Sequence, residues 1–182
     1  MLRARGGATP LGMVATEMED VTSDARAAGR LAAAFGKARD AGEAALVTFV
    51  TAGYPRPDDT VALLLALEAG GADVIELGVP FTDPQADGAT IQATNQVALS
   101  YGVTMDDTLG FVREARAQGL TIPVVLMGYC NPFLQYGVGR LAAATADAGA
   151  DGFIVVDLPP EEAAPIIEAC DANGLALSLI HI

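Results

Sequence analysis

The chain is poor in cations, in histidine and in cysteine, and each shortage closes off a kind of chemistry. Lys plus Arg total 10 against 23 Asp plus Glu, for a formal net charge of -13. So acidic a surface repels phosphate backbones and anionic lipids, which excludes nucleic acid and membrane as partners. Lys37 is the only lysine and falls on a predicted helix, so no strand lysine is at hand to form a Schiff base. His181, the only histidine, stands at the extreme end and leaves no imidazole cluster for a metal centre. The two cysteines, Cys130 and Cys170, lie far apart without C-x-x-C or Cys/His spacing, which predicts reduced thiols in a cytoplasmic protein and no structural zinc. Long apolar runs are missing too. The best candidates, ALVTFVTAG and TVALLLALEAG, are short, end in glycine and fall below the roughly 18 residues of a membrane span. What is left to carry chemistry is carboxylates.

What is present is enough for one substantial core: 182 residues, 52% of them hydrophobic, about the size of a single domain. The start, MLRARGGATPLGMVATEMED, has no apolar stretch of the secretory kind before acids appear. Residues 1–27 are expected to be a disordered extension or a misplaced start, with Met13 and Met18 as later start candidates. From Ala45 onward, short β-branched apolar runs alternate with longer alanine-rich amphipathic segments, the pattern of βα units feeding a parallel sheet. Strands are predicted at 46–51, 73–77, 124–127, 152–156 and from 175, and helices at 26–41, 58–69, 89–100, 105–118, 138–148 and 160–172. Asp58 and Thr104 are the predicted helix N-caps, and Gly70, Gly119 and Gly174 the stops. The phrases EAGGADVIELGVP and DAGADGFIVVDLP repeat one device: a helix stopped at glycine, an Ala-Asp turn, a buried strand and a proline-containing loop. Such repeats fit a TIM barrel or an open doubly wound sheet. The first strand is followed by TAGYPRPD and not by G-x-G-x-x-G, which favours the barrel.

Glu76 interrupts the run DVIELGVPF, a strand that should be covered on both faces. Burying a carboxylate is costly unless it is paired or protonated. Alternation puts Val74, Glu76 and Gly78 on one face, taken as the inner one, and Ile75 and Leu77 on the other. Near the C-terminal end of a barrel strand, Glu76 stands where active sites gather, although a structural ion pair or a hydrogen-bonded core acid would also place a glutamate there. The loop that follows, GVPFTDPQADGATIQ, is long and rich in Asp, Pro and Gly, which marks a functional loop. Asp83 and Asp87 stand out in it, while Asp-Pro and Asp-Gly are also ordinary turn chemistry.

These residues resemble the tryptophan synthase α subunit family, over about residues 30–174. The family hallmark ELGVPFSDPxADGPxIQ stands here as ELGVPFTDPQADGATIQ, with Thr82 for Ser and Ala89 where Pro is usual. Losing a proline at a helix start is expected to loosen the end of the loop. FVTAGYP at 49–55, LMGYCNPFLQYG at 126–137 and DGFIVVDLPPEE at 151–162 match as well.

The resemblance implies a TIM (β/α)8 barrel, truncated here to about its first five strands and occupying residues 28–176. It implies retro-aldol cleavage of indole-3-glycerol phosphate to indole and glyceraldehyde 3-phosphate, with Glu76 as acid/base and Asp87 as second catalytic carboxylate facing the indole nitrogen. Phe49, Met127, Tyr129, Ile154 and Val156 fall where the family lines its indole pocket, and Pro80 and Asp83 where its loop touches the β subunit. It implies an α2β2 heterotetramer whose pyridoxal phosphate belongs to the β subunit, with no cofactor in this chain. The family's phosphate-binding loops follow later strands and have no match here, so the 182 residues alone are expected to be inactive. After GlyLeuAla the chain reads LSLIHI where the family continues differently. That hexapeptide is the translation of a transposase adapter used in sequencing libraries, so residues 177–182 are expected to be a non-native tail. Two other readings stay open: another phosphate-binding barrel, such as an indole-glycerol-phosphate synthase or a pentose-phosphate epimerase, and a non-catalytic half-barrel that only docks a partner. The first would want lysines or histidines on early strands, and the second has no need of a buried acid.

Overall fold

The computed structural model describes residues 29–179, so the expected extension at 1–27, His181 and the end of the tail lie outside the described residues. Five strands form one sheet, all parallel and in sequence order: β1 (Val47–Thr51), β2 (Val74–Gly78), β3 (Val124–Gly128), β4 (Gly152–Val155) and β5 (Ala176–Ser178). A doubly wound sheet reverses its strand order at a switch point, and a barrel does not. The unbroken order is therefore that of a (β/α)8 barrel, here with five strands.

Helix α1 (Arg30–Ala41) precedes the sheet, and α2 (Thr60–Ala69), α3 (Ala89–Ser100), α4 (Met105–Ala117), α5 (Cys130–Tyr136), α6 (Val138–Ala148) and α7 (Ala164–Ala172) fill the crossovers. None of the helices among the described residues is long and apolar enough to cross a membrane. Thr104 caps α4 as expected, in a full capping box: its hydroxyl accepts from the Asp107 N–H, and the Asp107 carboxylate accepts from the Thr104 N–H. Asp58 does not cap α2. It lies inside a 3-10 turn, Pro57–Asp59, because Pro57, lacking an N–H and fixed in φ, starts the tight turn one residue earlier. The helix predicted over 160–172 is divided in the same way by Pro160, into a 3-10 turn at Pro160–Glu162 and α7. Sequence periodicity missed α5 altogether. The strand β5 takes in Leu177 and Ser178, which pair opposite Phe153 and Ile154.

Side-chain alternation gives the sheet two unlike faces. Ile75, Leu77, Val124, Leu126, Phe153 and Val155 are buried against Leu64 of α2, Leu109 and Val112 of α4, Leu141 of α6 and Ile166 of α7. Each such side chain contributes roughly 1.5–3 kcal/mol by leaving water. Phe49, Glu76, Met127 and Ile154 stand on the opposite face, half-buried.

The N-terminal rim of the sheet is held by ion pairs. Arg116 of α4 donates to the carbonyl oxygens of Gly149, Leu120 and Ile122 and to the Asp151 carboxylate, which also receives Arg30 of α1 and the Val124 N–H of β3. Burial, then the nearby Arg30, pull the Arg116 guanidinium below its ordinary pKa. In a barrel, this end serves stability and the other end serves chemistry.

Candidate active site

Phe49 of β1 and Glu76 of β2 are register partners, Glu76 and Val125 of β3 are the next pair, and Met127 of β3 pairs with Gly78 and Ile154. In-register parallel strands bring residues far apart in sequence side by side. Gly78 makes room for the arrangement, since a Cβ there would stand 2.6 Å from the Phe49 ring. Val156, one residue beyond β4, continues the ladder by donating its N–H to the Gly128 carbonyl, so alternation turns it to the same face as Ile154. The register thus sets Glu76, in the middle of β2, on the same face of the sheet as Phe49, Met127 and Ile154.

The Glu76 carboxylate has no hydrogen-bond or ion-pair partner among the described residues, and burial pushes its pKa above the ordinary carboxylate value. A structural acid would be paired or hydrogen-bonded. A carboxyl left unpaired and partly desolvated holds a proton more readily near neutral pH, which suits proton transfer.

Asp87 lies near the end of the loop between β2 and α3. Its carboxylate accepts a hydrogen bond from the Tyr129 hydroxyl at 3.0 Å, and that hydroxyl accepts one from the Ala86 N–H at 3.0 Å. Tyr129 is 5% exposed, with its ring 5.0 Å from that of Phe81. Burial is the main cause that lifts its phenol above the ordinary pKa, and Asp87 adds to it. Pro80 is buried at the root of the loop, while Asp83 is exposed at its tip.

Sequence reasoning passed over three residues that shape this region. Asn95, buried in α3, accepts from the Phe81 N–H and donates to the Ile91 carbonyl. Gln92 donates to the Asp87 carbonyl. Asp157, just after β4, accepts from the Cys130 N–H at 2.6 Å and lines a groove with Phe81, Asp83, Gln85, Ala86 and Tyr129. Burial, with Asp157 and Glu162, pushes the Cys130 thiol up, so it is held as the unreactive thiol. The signal for Asp157 was available: it is an acid directly after the apolar run GFIVV.

The fold is that of a (β/α)8-type barrel, and it presents the carboxylate of Glu76 on the inner face of its early strands as a candidate site. The tryptophan synthase alpha chain family model matches residues 35–182. Tryptophan synthase of Saccharomyces cerevisiae is 54% identical over 143 residues, 79% of this chain and 20% of that protein. The tryptophan synthase alpha chain of a Roseiflexus species is 52% identical over 148 residues, 81% of this chain and 57% of the relative. A crystal structure of tryptophan synthase subunit alpha from Legionella pneumophila superposes with a TM-score of 0.79 at 42% identity, covering 81% of this chain and 56% of that one. The chain belongs to the tryptophan synthase alpha chain family. It spans about half the length of the alpha chains it matches.

Proposed function

We propose that the whole protein of which this chain provides the first five barrel strands is the α subunit of tryptophan synthase, a carbon-carbon lyase that cleaves indole-3-glycerol phosphate. In this reading Glu76, protonated at the start, gives its proton to indole C3. The resulting carboxylate then takes the proton of the hydroxyl on the adjacent glycerol carbon. The electrons of the O–H bond form the aldehyde C=O, those of the broken C–C bond return to the ring, and indole and glyceraldehyde 3-phosphate leave. The Asp87 carboxylate stabilises the positive charge that develops at the indole nitrogen. Phe49, Met127, Ile154 and Val156 supply apolar surface for the indole ring. The observation that carries the proposal is Glu76 itself: without a hydrogen-bond or ion-pair partner among the described residues, half-buried, its proton affinity raised by burial, with Phe49 as its register partner.

The finer assignments follow the family. The partner is a β subunit carrying pyridoxal phosphate in an α2β2 assembly, met at the rim that holds Asp83 with Pro80 beneath it, and the site of action is the cytoplasm. The chain of 182 residues by itself is proposed to be inactive, because phosphate-binding loops are not among its motifs.

The test is a chimera in which residues 1–176 are joined to the carboxyl-terminal half of the Roseiflexus alpha chain, assayed for indole release from indole-3-glycerol phosphate. Glu76→Gln is expected to lower kcat/KM by roughly 10²–10⁴-fold, the usual worth of a general acid/base. An active chimera in which Glu76→Gln keeps more than about a tenth of the activity would sink the assignment.

A further inference from the structure

We infer that Tyr129 is a positioning residue that works through Asp87: its hydroxyl, clasped between the Ala86 N–H and the Asp87 carboxylate, fixes that carboxylate before substrate arrives. The inference deepens the proposed role of Asp87 and rests on it. A phenolic hydroxyl has one proton and two lone pairs. The Ala86 N–H can only donate, so it occupies a lone pair and leaves the proton free to point at Asp87 Oδ2, 3.0 Å away. Tyr129 is therefore the donor in this bond and Asp87 Oδ2 the acceptor. Tyr129 cannot swing aside cheaply, because it is 5% exposed and its ring lies against Phe81.

The remainder of the loop is pinned independently, by residues of α3. Asn95 receives the Phe81 N–H at 2.9 Å and anchors its own amide on the Ile91 carbonyl, and Gln92 donates to the Asp87 carbonyl at 2.9 Å. The Val79 N–H bonds to the Met127 carbonyl of β3, which fixes the loop root. With both ends and the backbone of Asp87 held, the freedom left to the site is the Asp87 side chain, and Tyr129 removes it. Fixing a charged group in advance spares the reorganisation that would otherwise be needed during reaction.

Two measurements test this. In the 182-residue chain, Tyr129→Phe keeps the ring and deletes the clasp, so the Ala86 amide is expected to exchange with solvent about tenfold faster or more, with the β3 amides unchanged. An unchanged Ala86 rate would overturn the clasp. In the chimera, Tyr129→Phe is expected to lower kcat about tenfold with KM close to the parent value, as for the loss of a hydrogen bond to a charged group. In an Asp87→Asn background the same substitution should cost less than twofold. An equal loss in both backgrounds would show that Tyr129 acts independently of Asp87 and would overturn the inference while leaving the proposed function standing. A chimera whose activity ignores Asp87→Asn would sink the catalytic role of Asp87 instead, with the exchange result still reporting the clasp.

Discussion

Glu76 makes the stability of the chain depend on pH in a direction opposite to that of most carboxylates. Its folded pKa is raised above the ordinary 4.5 by burial, so the folded state binds the proton more tightly than the unfolded state. The stability tied to it is fully present below the unfolded pKa and is lost as pH rises through the folded one. Glu76→Gln stays neutral throughout. The variant is therefore expected to be more stable than the parent in urea at pH 7, with the gap closing as the pH falls to about 4. A gap that widens on acidification would mean that Glu76 has a cationic partner. At this scale the sequence was informative wherever an anomaly was local, as with a charge inside an apolar strand. The clasp of Asp87 by Tyr129 was not legible, because it joins residues 42 positions apart and depends on how β3 follows β2.

Elements were legible where periodicity or a cap wrote them plainly. The helix α3 falls on the predicted 89–100, and the Thr104 capping box starts α4 where expected. The helix α5 escaped notice for physical reasons: it has seven residues, carries Pro132 in its first turn and buries only Phe133, too little for a 3.6-residue pattern. The turns at Pro57 and Pro160 were absorbed into the helices they introduce, since a 3-10 turn has no periodicity of its own. The departure at Ala89 yields a prediction at this scale. Ala89 is the first residue of α3, and the N-cap Gly88 has no side chain to cap with and an extended backbone, φ -73° and ψ 165°. That backbone is what a following proline requires, and the first N–H groups of a helix have no partner within it. Ala89→Pro is therefore expected to raise stability by about 0.4–1 kcal/mol by restricting the unfolded chain, measured by urea denaturation. A loss of stability would show that the Ala89 N–H or its φ is needed as it stands.

At the scale of the molecule, five strands in sequence order leave β1 and β5 each paired on one side only among the described residues. An unpaired parallel edge offers a row of N–H and C=O groups to any other strand. Among the described residues the β1 edge is the more adhesive of the two, because Leu46 and Val47 are 51% and 39% exposed there. The net charge of -13 opposes association at low salt, but salt screens it and leaves the edge attraction in place. The 182-residue chain is therefore expected to self-associate as its concentration rises, and more so when NaCl is raised from about 0.05 to 0.5 M, a range that cuts the screening length severalfold. Val47→Lys places a charge on the edge strand at an exposed position, away from the packed face, and should shift association to severalfold higher concentration without lowering the urea midpoint. Light scattering across a concentration series would read both effects. If Val47→Lys leaves association unchanged, the sticky surface lies elsewhere, and the half-buried inner face around Phe49 and Met127 becomes the surface to alter next. Mixing with a separately produced carboxyl-terminal half of a relative tests the edges together: a half that pairs with both edges should suppress association of the parent chain.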